Sequence, residues 1–267
     1  MRLPRTRRMA LLSAVLLVAA MAGHASADLI KQPKARPLAA AQPKHGKPAA
    51  RAKPKSTSRH VRRLFSGPAG SRTTTGSAAV ALTFDDGPDP AVTPRLLRLL
   101  AAQHVHATFC LIGRNVQRHP ELVRQIVAGG NTLCNHTWNH SLRIGTLPSA
   151  QIRADLLRTS AAITRAAPGA RVKYFRAPGG KFTSRLVAVA AQAGMSSIYW
   201  RVDPRDWDHP TGESDQVHQA RVIARIERDT QPGSIVLSHD GGQPDTVAAY
   251  RTVLPWLRHR YRLIALP

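Results

Sequence analysis

Acidic side chains are in short supply: 15 Asp and Glu face 39 Lys and Arg over 267 residues, leaving a formal charge of +24. The shortage is uneven, because residues 1–77 hold a single acid, Asp28, against 16 basic side chains, so that stretch carries +15 and the rest +9. Cysteine is nearly absent. Cys110 and Cys134 are the whole supply, too few for a disulfide-rich scaffold. No apolar run makes a comfortable membrane span of about 20 residues, and there is no internal repeat. Aromatic residues make up 5% of the chain. No recognition helix, zinc-finger spacing or aromatic stacking platform follows the basic stretch, so nucleic acid is not expected as a partner despite the charge.

What is present at the N-terminus reads as a leader and a linker. Arg2, Arg5, Arg7 and Arg8 precede the apolar run of residues 9–23, and Ala25-Ser26-Ala27 resembles a cleavage site, so residues 1–27 are expected to be a secretory signal peptide, with an uncleaved anchor as the alternative. The protein is therefore expected to be secreted or associated with a cell wall. Residues 28–77 are rich in Lys, Arg, Pro, Ala and Ser with little to bury, and are expected to be a disordered linker. Their charge suits electrostatic attachment to an anionic wall polymer.

Residues 78–267 suffice for one sizeable core. Runs at 80–84, 107–112, 132–135, 174–176, 196–199, 234–238 and 261–266 predict seven strands, with helical patterns between them, the signature of successive βα units on a parallel sheet. Thr93 predicts a helix N-cap with Pro94 in the first turn, and Ser149 caps a helix whose apolar face is Ile152, Leu156 and Ile163. Thr183 or Ser184 opens another that stops at Gly194, and residues 246–260 form the last. A closed or nearly closed barrel fits this alternation, with a doubly wound open sheet as competitor. Both place chemistry at the carboxyl ends of the strands.

Polar groups stand at those ends. Asp85-Asp86 follow the first strand, His136 and His140 the third, Arg176 the fourth, Asp206-Trp207 the fifth and His239-Asp240 the sixth. Two imidazoles four apart share a face on a helical turn and, with a carboxylate, make a two-His, one-acid cation site with a position open for water. Taken singly, the acid pair could be a turn, Arg176 an ion pair, Trp207 packing and Asp240 a turn residue; their shared placement favours a site. Cys110 and Cys134 fall on neighbouring strands of an exported chain, which favours a disulfide over two buried thiols.

In order, TFDDGP, HTWNH, RAPGG, DPRDW and IVLSHD resemble the five motifs of the polysaccharide deacetylases, carbohydrate esterase family 4, also called the nodulation-type chitooligosaccharide deacetylase (NodB) homology domain. The likeness runs from about residue 78 to the C-terminus. It implies an α/β fold, a distorted (β/α)7 barrel of parallel strands with outer helices. It implies Asp85 as catalytic base, Asp86, His136 and His140 as ligands of a divalent metal, Arg176 as partner of the base, Asp206 as the acid that tunes His239, and His239 as general acid. Trp207 and Leu237 would wall the pocket. The metal expected is Zn2+, although Co2+, Ni2+ or Mn2+ suits the same ligands. The position after Pro178 is Gly179, where a larger residue is common in the family, which bears on substrate preference. Its N–H is the expected oxyanion donor, in a turn where backbone can approach closely.

These readings predict a monomeric enzyme that removes N-acetyl groups from N-acetylglucosamine residues of a polysaccharide, with the basic tail favouring peptidoglycan over chitin. An O-acetyl xylan esterase and a non-catalytic sugar-binding protein of the same fold are the alternatives. A metalloprotease is disfavoured because HTWNH lacks the glutamate of HExxH. A glycosidase is disfavoured because its paired carboxylates are seldom adjacent in sequence beside a metal site.

Overall fold

The computed structural model describes residues 65–267; the expected signal peptide and the linker up to residue 64 lie outside the described residues. Seven parallel strands form one sheet: β1 (Val80–Asp85), β2 (Thr108–Leu111), β3 (Thr132–Asn135), β4 (Val172–Phe175), β5 (Ser196–Ser197), β6 (Ile235–His239) and β7 (Leu263–Ile264). Their order is β5-β4-β3-β2-β1-β6, with β7 paired to the start of β1. The helices α1 (Thr93–Ala102), α2 (Gly113–Arg118), α3 (Pro120–Ala128), α4 (Ser149–Ala166), α5 (Ser184–Gln192), α6 (Asp215–Asp229) and α7 (Pro244–Arg260) fall between them.

Burial on both faces explains the near-continuous apolar strands. In β1, Val80, Leu82 and Phe84 join the core beneath the helices, while Ala81 belongs to a smaller inner cluster with Cys110, Cys134, Tyr174, Ile198, Ile235 and Leu266. Cys110 and Cys134 are register partners of β2 and β3 and are joined as a disulfide. The C-terminal residues run beneath the strand starts, where the Leu266 N–H donates to Thr108 Oγ1 (2.9 Å) and Thr132 Oγ1 donates to the Leu266 carbonyl (2.8 Å).

The sheet curls into the distorted barrel and does not stay open. Beyond the short β5, Val202 bridges to Val236 of β6, with the Leu237 N–H on the Val202 carbonyl (2.9 Å). Residues 72–75, assigned to the linker on composition, help fill this gap. Arg72 pairs with Ile198 and Thr74 with Ser234, while Ser71, Thr73 and Thr75 are buried. The ordered fold thus begins earlier than residue 78. Composition does not reveal it because the segment is held by backbone bonds and small hydroxyls, such as Thr75 Oγ1 on the Ala79 carbonyl (2.7 Å), and not by apolar side chains.

Helix starts agree with expectation at Thr183, which accepts from the Leu186 N–H (3.1 Å). Thr93 and Ser149 differ: each is the first helical residue, with Val92 and Pro148 in the cap positions, and neither helix has a side-chain cap bond. The Thr93 hydroxyl is engaged elsewhere.

Candidate active site

The carboxyl ends of β1, β3, β4 and β6 bring the expected residues together. Asp85 closes β1, and Asp86 follows with φ of 74°. Opposite stand His136 and His140, whose Nε2 atoms lie 3.3 and 3.2 Å from Asp86 Oδ1. The imidazoles converge without the helical turn that their spacing suggested. Thr137 and His140 have positive φ (66° and 57°), and the loop is held by its own side chains: the Thr137 N–H donates to Asn135 Oδ1 (2.9 Å) and the His140 N–H to Thr137 Oγ1 (3.1 Å). Residues held in sparsely populated backbone regions cluster where surrounding contacts impose them.

His136 Nδ1–H donates to the Arg176 carbonyl (2.8 Å), which fixes the tautomer and leaves Nε2 facing Asp86. Asp86 Oδ1 is buried and makes no hydrogen bond among the described residues. Burial alone would raise the Asp86 pKa, but the close contact with His136 and then the charges of His136, His140 and His239 outweigh it and hold the carboxyl at about 2. A carboxylate kept ionised, with an unpartnered oxygen between two imidazole nitrogens, fits a divalent cation.

Asp85 is tied to the neighbouring cation. Arg176, fully buried, donates from Nη1 to Asp85 Oδ1 (2.7 Å) and Thr83 Oγ1 (2.8 Å), and from Nη2 to the Tyr199 carbonyl (3.1 Å). Its pairing makes a buried guanidinium tolerable. Asp85 Oδ2 remains toward His136, 3.7 Å from Nε2.

His239, register partner of Asp85 across β1 and β6, completes the other side. Its Nδ1–H donates to Asp206 Oδ1 (2.9 Å) and its backbone N–H to Asp206 Oδ2 (2.8 Å), while Thr246 Oγ1 donates to the same Oδ2 (2.6 Å). Burial would lower the His239 pKa; the charge and hydrogen bond of Asp206, then the charges of Asp85 and Asp86, raise it to about 9. Beside it, Asp240 is buried and accepts from Thr93 Oγ1 (2.5 Å). Burial, with the charges of Asp86, Asp85 and Asp89, pushes its carboxyl up to about 7 against the Thr93 hydrogen bond. Gly87 makes room for it, since a Cβ there would fall 2.4 Å from Asp240 Oδ2.

The expected substrate contacts are mixed. Gly179 lies in a left-handed turn (φ 57°) at the end of β4, exposed, and its N–H has no acceptor among the described residues. Trp207 is 46% exposed, with the Arg205 guanidinium 5.0 Å from its ring, whereas Leu237 is 3% exposed and offers little surface as it stands. Thr93 and Thr246 were not assigned to the site from sequence, and Asp240 was placed at a strand end without a role in it. Thr93 opens α1 and Thr246 lies in the first turn of α7, so both read as helix-start signals and nothing local marked them as partners of distant carboxylates.

The family model described as polysaccharide deacetylase matches residues 72–198. A chitooligosaccharide deacetylase of Sinorhizobium fredii (strain NGR234) is 36% identical over 201 residues, covering 71% of this chain and 90% of the relative. A peptidoglycan-N-acetylglucosamine deacetylase of Bacillus cereus is 36% identical over 192 residues, covering 70% of this chain and 85% of the relative. Among solved structures, a pseudoenzyme of carbohydrate esterase family 4 from Bacillus anthracis matches with a TM-score of 0.65 at 29% identity, covering 73% of this chain and 67% of that one.

Proposed function

The chain belongs to the polysaccharide deacetylase family and is a hydrolase of that kind; from this premise we propose that it is a secreted, metal-dependent enzyme removing N-acetyl groups from N-acetylglucosamine residues of peptidoglycan or chitin oligosaccharides. The observation that carries the reading is the placing of a carboxylate, Asp85, and an imidazole, His239, on adjacent strand ends beside the Asp86, His136 and His140 cluster.

A divalent cation held by Asp86, His136 and His140, proposed to be zinc, would supply Lewis acidity toward the acetyl oxygen and lower the pKa of water from about 16 to about 7. Asp85 takes the water proton on Oδ2 while Arg176 holds Oδ1 and orients the carboxylate. The Gly179 N–H donates to the developing oxyanion, a contribution of about 3–4 kcal/mol for one such donor. His239, with Nδ1–H kept on Asp206, delivers a proton from Nε2 to the departing amine. Trp207 offers an exposed ring on which a sugar face can stack.

The excess positive charge of residues 1–77 supports peptidoglycan with its anionic polymers as the setting, and the leader-like residues 1–27 support export. The match to a pseudoenzyme raises a second reading, a sugar-binding protein without turnover. Acetate release from peptidoglycan, chitin oligomers and acetylated xylan by wild type and Asp85→Asn separates these. Release from the N-acetylated polymers by wild type alone is expected; release from xylan only would make it an O-acetyl esterase, and binding without release a non-catalytic protein.

A further inference from the structure

A second cluster of ligand-type side chains lies outside the site above. His209, on the segment between β5 and α6, His218, in the first turns of α6, and Asp245, in the first turn of α7, each bring one nitrogen or oxygen within 4.8 Å of the other two. We propose that these three residues form a second divalent-cation site, taking zinc or a comparable borderline metal.

His218 supplies the first reason. It is 1% exposed, and its Nδ1 lies 3.0 Å from Asp245 Oδ2. That spacing is close to the roughly 3.3 Å between two ligand atoms of one tetrahedral zinc, so Nδ1 and Oδ2 can hold one ion between them. The second reason is the other imidazole. The His209 ring packs 4.4 Å from that of His218, and its Nε2 faces two carboxylates, Asp215 Oδ1 at 3.7 Å and Asp245 Oδ2 at 4.0 Å. Two imidazoles and a carboxylate suit zinc, copper or nickel better than hard cations.

The surroundings leave the group ready to close. Gln219 Nε2 donates to Asp245 Oδ1 (2.7 Å), which orients the carboxylate and keeps Oδ2 toward the histidines. Ligand atoms around tetrahedral zinc lie about 3.3 Å apart, so closure asks for a movement of roughly 1 Å. His209 can make it, because it is half-exposed and sits outside any helix. Its segment is anchored on either side by Arg205 on Asp208 (3.0 Å) and by Arg221 on Glu213 (3.0 and 2.6 Å). The same segment carries Asp206 and Trp207, so an ion here would fasten the acid side of the catalytic cleft to α7.

The test is zinc titration by calorimetry on the full chain after chelator treatment and dialysis, with four proteins: wild type, His136→Ala, His209→Ala and the double variant. His136→Ala isolates the second site, and His209 is exposed enough that its truncation leaves the fold intact. One equivalent bound by His136→Ala and lost on adding His209→Ala is the expected result, together with a zinc-dependent rise in unfolding temperature that disappears in the double variant. Equal zinc binding by His136→Ala and the double variant would overturn the proposal, whatever the catalytic site does.

Discussion

Asp206 has both carboxylate oxygens engaged by the protein itself, through His239 and Thr246, whereas Asp86, at the end of β1, keeps a buried oxygen to which none of the described residues donates. On the acid side His239 and Thr246 stand on regular elements, the end of β6 and the first turn of α7, while Asp206 lies in the loop after β5, next to Arg205 with φ of 56°. The cation side rests on residues with positive φ at Asp86, Thr137 and His140. One side is finished by hydrogen bonds and can fold with its geometry in place; the other keeps an oxygen for the proposed ion to engage. Substitutions on the two sides should therefore fail differently.

The largest effect belongs to Asp206→Asn. It leaves the shape and removes the charge that keeps His239 cationic, so acetate release should fall by about 10²–10⁴-fold and the alkaline limb of the pH profile should move down from about 9 toward 6.5. A profile with an unmoved alkaline limb would show that Asp206 does not set the proton on His239.

Stability against pH gives the next contrast. The folded pKa of His239, about 9, lies above the ordinary 6.5, so its contribution is complete below 6.5 and lost as pH rises through 9. The shift corresponds to roughly 3 kcal/mol, readable by urea unfolding of wild type against His239→Gln, the two curves converging at high pH. On the cation side the sign is opposite: Asp86, depressed to about 2, stabilises above its unfolded value of 3.8 and loses that contribution as pH falls through 2.

The smallest effect is that of Thr246→Val, which deletes one of the three donors to Asp206. A loss of about 1 kcal/mol is expected, with KM unchanged and kcat reduced modestly. A change in KM alone would place Thr246 against substrate.

The sequence was legible where chemistry follows strand ends. Asp85, Asp86, His136, His140, Arg176 and His239 were each found by asking what stands past an apolar run, and the sheet places them together. It was misleading where local pattern has two uses. The spacing of His136 and His140 fits a helix, but Asn135 and Thr137 bend the segment into a loop instead. Thr93 and Thr246 look like helix-start residues, yet their hydroxyls serve Asp240 and Asp206. Residues 71–75 look like linker because hydroxyls and backbone, not apolar area, hold them in the gap between β5 and β6. Thr246 and Asp206 are 40 residues apart and Thr93 and Asp240 are 147 apart, so these partners are set by tertiary contact, which periodicity does not report.

If the cation side needs an ion to work, acetate release by chelator-treated wild type on N-acetylglucosamine oligomers, before and after adding zinc, will reveal it. Loss of release on treatment and its return with zinc, alongside unchanged helical circular dichroism, is the predicted result. Undiminished release by protein shown by elemental analysis to contain no metal would contradict it.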